Sequence, residues 1–326
     1  MEPAYDVTAI GEVLIDFTHS GTSAQGNGLY EANPGGAPCN VLAMLARLGH
    51  RTAFIGKAGN DLFGTQLKET LGSLGIGTEG LALSGTERTT LAFVKTADDG
   101  ERSFSFYRTG CADCALKADE VNMNLIKQSR ILHYGTLSLT DEPAASATRA
   151  ALEAAKQAGA LRSFDPNLRL PLWDSPGRAR KEIWYGVSQC DILKIAEEEL
   201  EFLTGEADIG RGVQKIRDRH AVPLITVTRG KNGCEGFFDD GTASARAESG
   251  AFTSVQTIDT TGAGDTFCAC ILHEILENGY GTFSSGRLAN ALRFACAAAS
   301  LTTTRKGALA VMPEKAEIEA LLERGA

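Results

Sequence analysis

Residues Gly262-Ala263-Gly264-Asp265 place three small residues and a carboxylate at the start of an amphipathic run. The run carries Phe267, Ile271, Leu272, Ile275 and Leu276 and stops near Gly279. A helix beginning here has first-turn N–H groups that lack intrahelical partners, and its positive dipole end points the same way, so the turn suits an anion. Small side chains let a phosphate approach the backbone closely. Asp265 would repel that phosphate unless it had a chemical task. A carboxylate beside an anion hole can take the proton from an attacking hydroxyl while the amides hold charge on a transferred phosphoryl group. The plainer alternative is a tight turn whose aspartate caps the helix.

Such a turn needs a rigid frame, and the chain supplies the pattern of one. Short apolar runs at 7–10, 52–55, 131–134, 161–164, 191–194 and 224–228 alternate with amphipathic helical stretches. That rhythm predicts βαβ units and an α/β fold with a mostly parallel sheet covered on both faces. One helix carries Val41, Leu42, Met44, Leu45 and Leu48 and stops at Gly49; another, Ala-rich, spans 143–158 and stops at Gly159. Two stretches break the rhythm. Segments 12–17 with 29–32, and 89–96 with 102–108, read as antiparallel pairs with Gly- and Asp-containing turns. They predict a small separate sheet, a lid drawn from about 12–34 and 89–110, inserted in one domain spanning 1–326.

Composition narrows the function classes. A formal charge of -9 with no Lys/Arg cluster argues against a nucleic-acid partner. No basic segment leads into an apolar one at the N-terminus, and no apolar run approaches the ~18 residues of a membrane span. The expectation is a soluble cytoplasmic protein. The eight cysteines do not suggest a disulfide framework in a chain of 326 residues. Cys39, Cys190, Cys268, Cys270 and Cys296 fall where apolar packing is expected. Cys111 and Cys114 form a CxxC without a second CxxC or nearby His pair in sequence, and read as buried or incidental thiols rather than a metal or redox centre.

The segment DTTGAGDTF at 259–267 resembles the C-terminal signature of the ribokinase-like (PfkB) carbohydrate kinases. NPGGAPCNV at 33–41 resembles the other signature of that family. The likeness continues through GEVLIDF at 11–17, GKAGNDLFG at 56–64 and TRGKNG at 228–233, and so covers nearly the whole chain. It implies a three-layer αβα sandwich with a β-sheet lid, and transfer of the ATP γ-phosphoryl group to a sugar hydroxymethyl, with Asp265 as base and 262–264 as anion hole.

A sugar needs several fixed donors and acceptors. By resemblance Asp16 anchors sugar hydroxyls, the Gly35-Gly36 turn lets backbone approach the sugar, and Asn40 hydrogen-bonds it. Asp16 could instead be an edge-strand charge, and Asn40 an ordinary first-turn residue. Arg108, followed by Ala112-Asp113, matches an arginine that reaches substrate in the fructokinase-like branch, unless it is a solvated strand end. Arg169, in FDPNLRLPLW at 164–173, resembles a D-x-N-x-R-x-x-L-W stretch of fructokinases and 2-keto-3-deoxygluconate kinases, contacting substrate or transferred phosphate.

Neither a P-loop nor a G-x-G-x-x-G fingerprint is present. The loop after 224–228, with Thr228, Gly230 and Gly233, falls where α/β sheets bind ligands, although a simple hairpin would look the same. Resemblance makes it an ATP loop and sets Asn290 near the adenine. In 191–205 the family usually carries N-x-x-E; here Ala196 replaces the Asn, Glu199 keeps the Glu, and Lys194 lies two residues before Ala196. The likeness assigns Glu199 to magnesium through water and Lys194 to phosphate. Magnesium commonly retains waters. Asp259 and Thr261, with carbonyls near 300–307, match ligands of a monovalent cation such as K+. The expectation is an ATP- and Mg2+-dependent fructokinase-like enzyme that pairs as a homodimer through the lid. 2-Keto-3-deoxygluconate kinase, nucleoside or aminoimidazole riboside kinase, a non-catalytic sugar-binding regulator and an NAD-dependent oxidoreductase are the alternatives.

Overall fold

The computed structural model describes residues 3–96, 102–281, 283–307 and 309–325. Its strands in chain order are β1 (Tyr5–Ile10), β2 (Leu14–Thr22), β3 (Gly28–Gly35), β4 (Thr52–Gly59), β5 (Ile76–Ser84), β6 (Thr90–Thr96), β7 (Arg102–Tyr107), β8 (Ser129–Gly135), β9 (Leu161–Asp165), β10 (Ile192–Ala196), β11 (Leu224–Thr228), β12 (Cys234–Asp239) and β13 (Ser244–Ser249). Nine form one sheet in the order β13-β12-β11-β10-β9-β8-β1-β4-β5. From β11 to β5 every neighbouring pair is parallel; β12 and β13 close one edge antiparallel.

The apolar runs are continuous because both faces are buried. On β1, Val7 and Ala9 point into one core, which packs against the helices Ala37–Arg47, Ala263–Asn278 and Ser285–Thr302; Ile10 points into the other, beneath Ala144–Ala158, Pro176–Gln189 and Ile209–Arg219. Tyr134 and Phe164 stack at 4.8 Å in that second core, and Tyr134 Oη donates to Gly186 O at 2.7 Å, so the ring is buried without stranding its hydroxyl. The strand β5 escapes a reading of apolar runs because Gly77 and Gly80 interrupt it. A Cβ on Gly80 would lie 2.5 Å from Phe54 O, so close packing on β4 demands the glycine.

The lid is a four-stranded sheet, β3-β2-β6-β7. Its two hairpins match the expected pairs, and they join through a parallel β2–β6 contact that no local pattern announces. Register puts Asn33, Asp16, Ala92 and Phe106 in one row across the sheet, and Ala32, Phe17, Phe93 and Ser105 in the next row, on the opposite face. Among the described residues no helix is long and apolar enough to cross a membrane. All eight cysteines are buried and unpaired by disulfides. The Cys111 and Cys114 thiols donate to the carbonyls of Tyr107 and Arg108 at the base of the lid.

Candidate active site

The helix Ala263–Asn278 starts from Gly262 in the left-handed region (φ 77°), a conformation that a side chain would strain. Thr266 N donates to Gly262 O at 2.8 Å; of the amides before it, Ala263 N makes a long contact to Thr260 O at 3.3 Å, and none has an intrahelical acceptor. Asp265 is buried, unlike a capping aspartate at a solvated helix start. Its Oδ2 accepts from Asn40 Nδ2 at 2.7 Å, across 225 residues of sequence. Burial raises its pKa to about 6, and the Asp165 carboxylate adds to the rise; Asn40, Lys194 and Arg169 oppose it. A carboxyl group with that pKa is a competent base near neutral pH.

Lys194, on β10, is also buried, and its Nζ lies 3.0 Å from Asp165 Oδ2. Burial disfavours the ammonium, but Asp165 and Glu199 more than offset this and hold its pKa above the ordinary value, so it stays charged. A Cβ on Gly264 would sit 3.1 Å from Lys194 Nζ, so the glycine leaves the cation open to whatever rests on the turn.

Two cavities meet at this turn. One, of about 400 Å³, is lined by Asp16, Gly36, Asn40, Arg169, Lys194 and Asp265, with Phe106 of the lid over it. Asn40 Oδ1 is buried there and has no protein donor among the described residues, as a site for a hydroxyl-bearing ligand requires. Gly36 (φ 123°) begins the helix that carries Asn40, and a Cβ there would lie 2.5 Å from Glu12 O. A Cβ on Gly35 would lie 2.6 Å from Asp16 Oδ2. Gly36→Ala therefore combines left-handed strain with a backbone clash and is expected to cost on the order of 3 kcal/mol in urea unfolding while weakening binding in this cavity.

The second cavity, of about 520 Å³, is mostly apolar. Thr228, Gly230 and Gly233 line it from the β11–β12 turn, Phe252 and Val255 from the loop after β13, and Ala299 and Thr303 from the C-terminal end of the helix Ser285–Thr302. Thr260 and Gly264 line both cavities. The wall of the second cavity reaches the turn at Ala263 and Gly264, and a Cβ on Gly264 would sit 3.1 Å from Lys194 Nζ, which lines the first cavity.

Several expected residues lie elsewhere. Arg108 does not line the 400 Å³ cavity. Its Nε donates to Asp113 Oδ2 at 2.7 Å, and its terminal nitrogens donate to Thr140 Oγ1 at 2.6 Å and Leu137 O at 2.7 Å, so the guanidinium ties the lid base to the loop after β8. Asn290 is exposed and lines a separate cleft with Glu274, Asn278 and Arg287. It lies about 120° around the helix from Cys296, which does face the 520 Å³ cavity. Glu199 lines neither cavity: its oxygens accept from Leu168 N at 2.6 Å and Ala196 N at 2.9 Å, fixing the loop that carries Asn167 and Arg169. Asp259 is buried beside the turn, with Oδ1 accepting from Thr261 N at 2.8 Å.

Glu12 and Asp165 escaped sequence reading. Glu12 Oε1 accepts from Ala37 N at 2.9 Å in the wall of the 400 Å³ cavity, and burial lifts its pKa to about 7. Glu12 lies in GEVLIDF and Asp165 opens the D-x-N-x-R stretch, but neither stretch shows the folded partner that places the carboxylate.

Known proteins match this architecture along its length. The profile of the pfkB family carbohydrate kinases matches residues 5–315. A probable fructokinase-2 of Arabidopsis thaliana is 42% identical over 319 residues, 97% of this chain and 95% of its own. A fructokinase of Xylella fastidiosa with bound ATP superimposes with a TM-score of 0.87 at 31% identity, over 98% of both chains. A fructokinase double mutant of Vibrio cholerae, in a form with fructose, ADP and potassium bound, gives a TM-score of 0.87 at 32% identity over 99% of both. The fold is ribokinase-like, and the chain belongs to the pfkB family of carbohydrate kinases.

Proposed function

We propose that the chain is a fructokinase that transfers the γ-phosphoryl group of ATP to a hydroxymethyl of fructose, with Asp265 as the base. The observation that carries this is the sharing of the 260–264 turn by a polar cavity and an apolar one, with a buried carboxylate of raised pKa at their junction. Fructose occupies the polar cavity on Asp16, Asn40 and Arg169, with its backbone contact at Gly35-Gly36. ATP occupies the apolar one against Thr228, Gly230 and Gly233. Asp265 takes the hydroxyl proton as the sugar oxygen attacks phosphorus, and the ADP oxygen leaves. The amides of Gly262, Ala263 and Gly264 and the Lys194 ammonium hold the charge that develops. The enzyme acts in the cytoplasm, where ATP is replenished.

Magnesium supplies charge neutralisation at the phosphates. Glu199 suits contact through water rather than direct ligation, because both its oxygens already accept backbone N–H groups. Asp259, Thr261 and the carbonyls near 300–307 are the oxygen donors we assign to a monovalent cation; Asp259 N and Ile258 N both donate to Thr303 O, which holds these segments together.

Fructose is favoured over 2-keto-3-deoxygluconate by two features. Arg108 is committed to Asp113, Thr140 and Leu137, which leaves Arg169 as the arginine lining the sugar-side cavity, and Phe106 presents no hydroxyl there. A coupled ADP-release assay over a sugar panel should give the highest kcat/KM on fructose, at least about tenfold above the keto acid. Equal or faster turnover of the keto acid would overturn the substrate assignment.

The lid's outer face suits a second copy of the chain. Phe17 stacks on Phe93 at 4.9 Å, and Tyr30 and Tyr107 meet Phe93 edge-on at 5.7 and 5.4 Å while remaining half or more exposed. Sedimentation should show a dimer, and Tyr30→Asp with Tyr107→Asp should give monomers.

A further inference from the structure

Beyond phosphoryl transfer, we propose that His50, His273 and Glu277 form a site for a transition-metal dication, of which zinc is the best match, at the far end of the two helices that build the catalytic centre.

The three ligand atoms lie within 4.8 Å of one another. His50 Nε2 and His273 Nδ1 are 2.7 Å apart, sharing one proton, and both rings are half-buried. His273 and Glu277 are spaced i, i+4 on the helix Ala263–Asn278, so their side chains share a face one turn apart. His50 comes from the end of the helix Ala37–Arg47. There Gly49 (φ 90°) donates N–H to Ala46 O at 3.0 Å, and His50 N donates to Leu45 O at 3.0 Å. That pattern is a Schellman cap, and it fixes the His50 backbone rather than leaving it on a mobile loop.

Two imidazoles and a carboxylate are a common protein ligand set for zinc, with water in the fourth position. Zinc–nitrogen bonds of about 2.0–2.1 Å in a tetrahedral site hold two nitrogens ~3.4 Å apart. The rings must therefore part by ~0.7 Å relative to their present 2.7 Å, and the ring that donates the shared proton must carry it on its other nitrogen instead. Around the pair, Asp6 is ion-paired with Arg51 and Arg130 and Glu274 with Arg287, while Glu277 and Lys315 also lie near the rings.

The placement gives the ion a mechanical role. The same two helices are joined at their other ends by the Asn40–Asp265 hydrogen bond. A bound ion pins the remote ends, so that the pair is clamped at both.

The test is calorimetric titration of the EDTA-treated full-length protein, without nucleotide, with Zn2+ alone, paired with thermal unfolding. The wild type should bind one ion per chain, and its melting temperature should rise with zinc as binding to the native state requires. His273→Ala and His50→Gln should each lose this binding, and Glu277→Gln should weaken it at least about tenfold. Each variant is first shown to unfold cooperatively in EDTA; one that does not is replaced by His273→Gln or His50→Asn. Wild-type binding that survives both histidine changes, or no binding by the wild type, overturns the proposal.

Discussion

Asparagine at position 265 is expected to lower kcat on fructose by roughly 10²–10⁴-fold, the range that a positioned general base contributes. The cavities and the turn keep their shape, because the Asn side chain can still accept from Asn40 Nδ2 through its oxygen. Affinity for ATP, read by equilibrium binding, should therefore stay close to that of the wild type. Stability gives an independent readout. Asp265 has a folded-state pKa of about 6, above the usual carboxylate value, chiefly because burial disfavours its charge. A raised pKa contributes stability that is complete below the ordinary carboxylate pKa and is lost as pH rises through about 6. At pH 8 the wild type carries that penalty and the neutral Asn does not. Asp265→Asn should melt no lower than the wild type at pH 8, whereas a residue kept for structure would melt lower when replaced.

Lys194→Met should be the most damaging single change to the fold. It leaves the buried Asp165 carboxyl without its partner, a loss of ~3–5 kcal/mol by analogy with other broken buried pairs. It also removes the cation beside Gly264 and an opposing charge that holds the Asp265 pKa down. Urea unfolding should show the destabilisation, and residual activity should retreat toward higher pH. Adding Asp165→Leu should restore much of the stability without restoring turnover. If the double variant regained activity, Lys194 would have no role at the phosphates.

How much of this was legible in the sequence depended on how local each signal was. The turn at 262–265 was readable because small residues, a carboxylate and an amphipathic helix are contiguous. Its second half, burial of Asp265 against Asn40, needed a contact across 225 residues. Gly36 was readable by resemblance, while its physical reason, the approach of Glu12 O, lies in another strand connection. For Arg108 a sequence shows a guanidinium but not its acceptors, and here Asp113, only five residues away, and Thr140 hold it. For Asn290 the missing signal is helical phase: the residues facing the 520 Å³ cavity are Cys296, Ala299, Ser300 and Thr303, and Asn290 lines a separate cleft. Glu199 was placed in the right neighbourhood, yet its oxygens serve the backbone. The His50–His273 pair was invisible, since two of five histidines separated by 223 residues give no pattern.

The central claim is that a buried Asp265 carboxylate takes the proton at the junction of the two cavities. The pH dependence of kcat/KM for fructose at saturating ATP tests it most directly. An acid limb with an apparent pKa near 6, lost together with nearly all turnover in Asp265→Asn, is the predicted result. A profile flat from about pH 5 to 8, or an Asp265→Asn variant with the same acid limb and wild-type turnover, would contradict it.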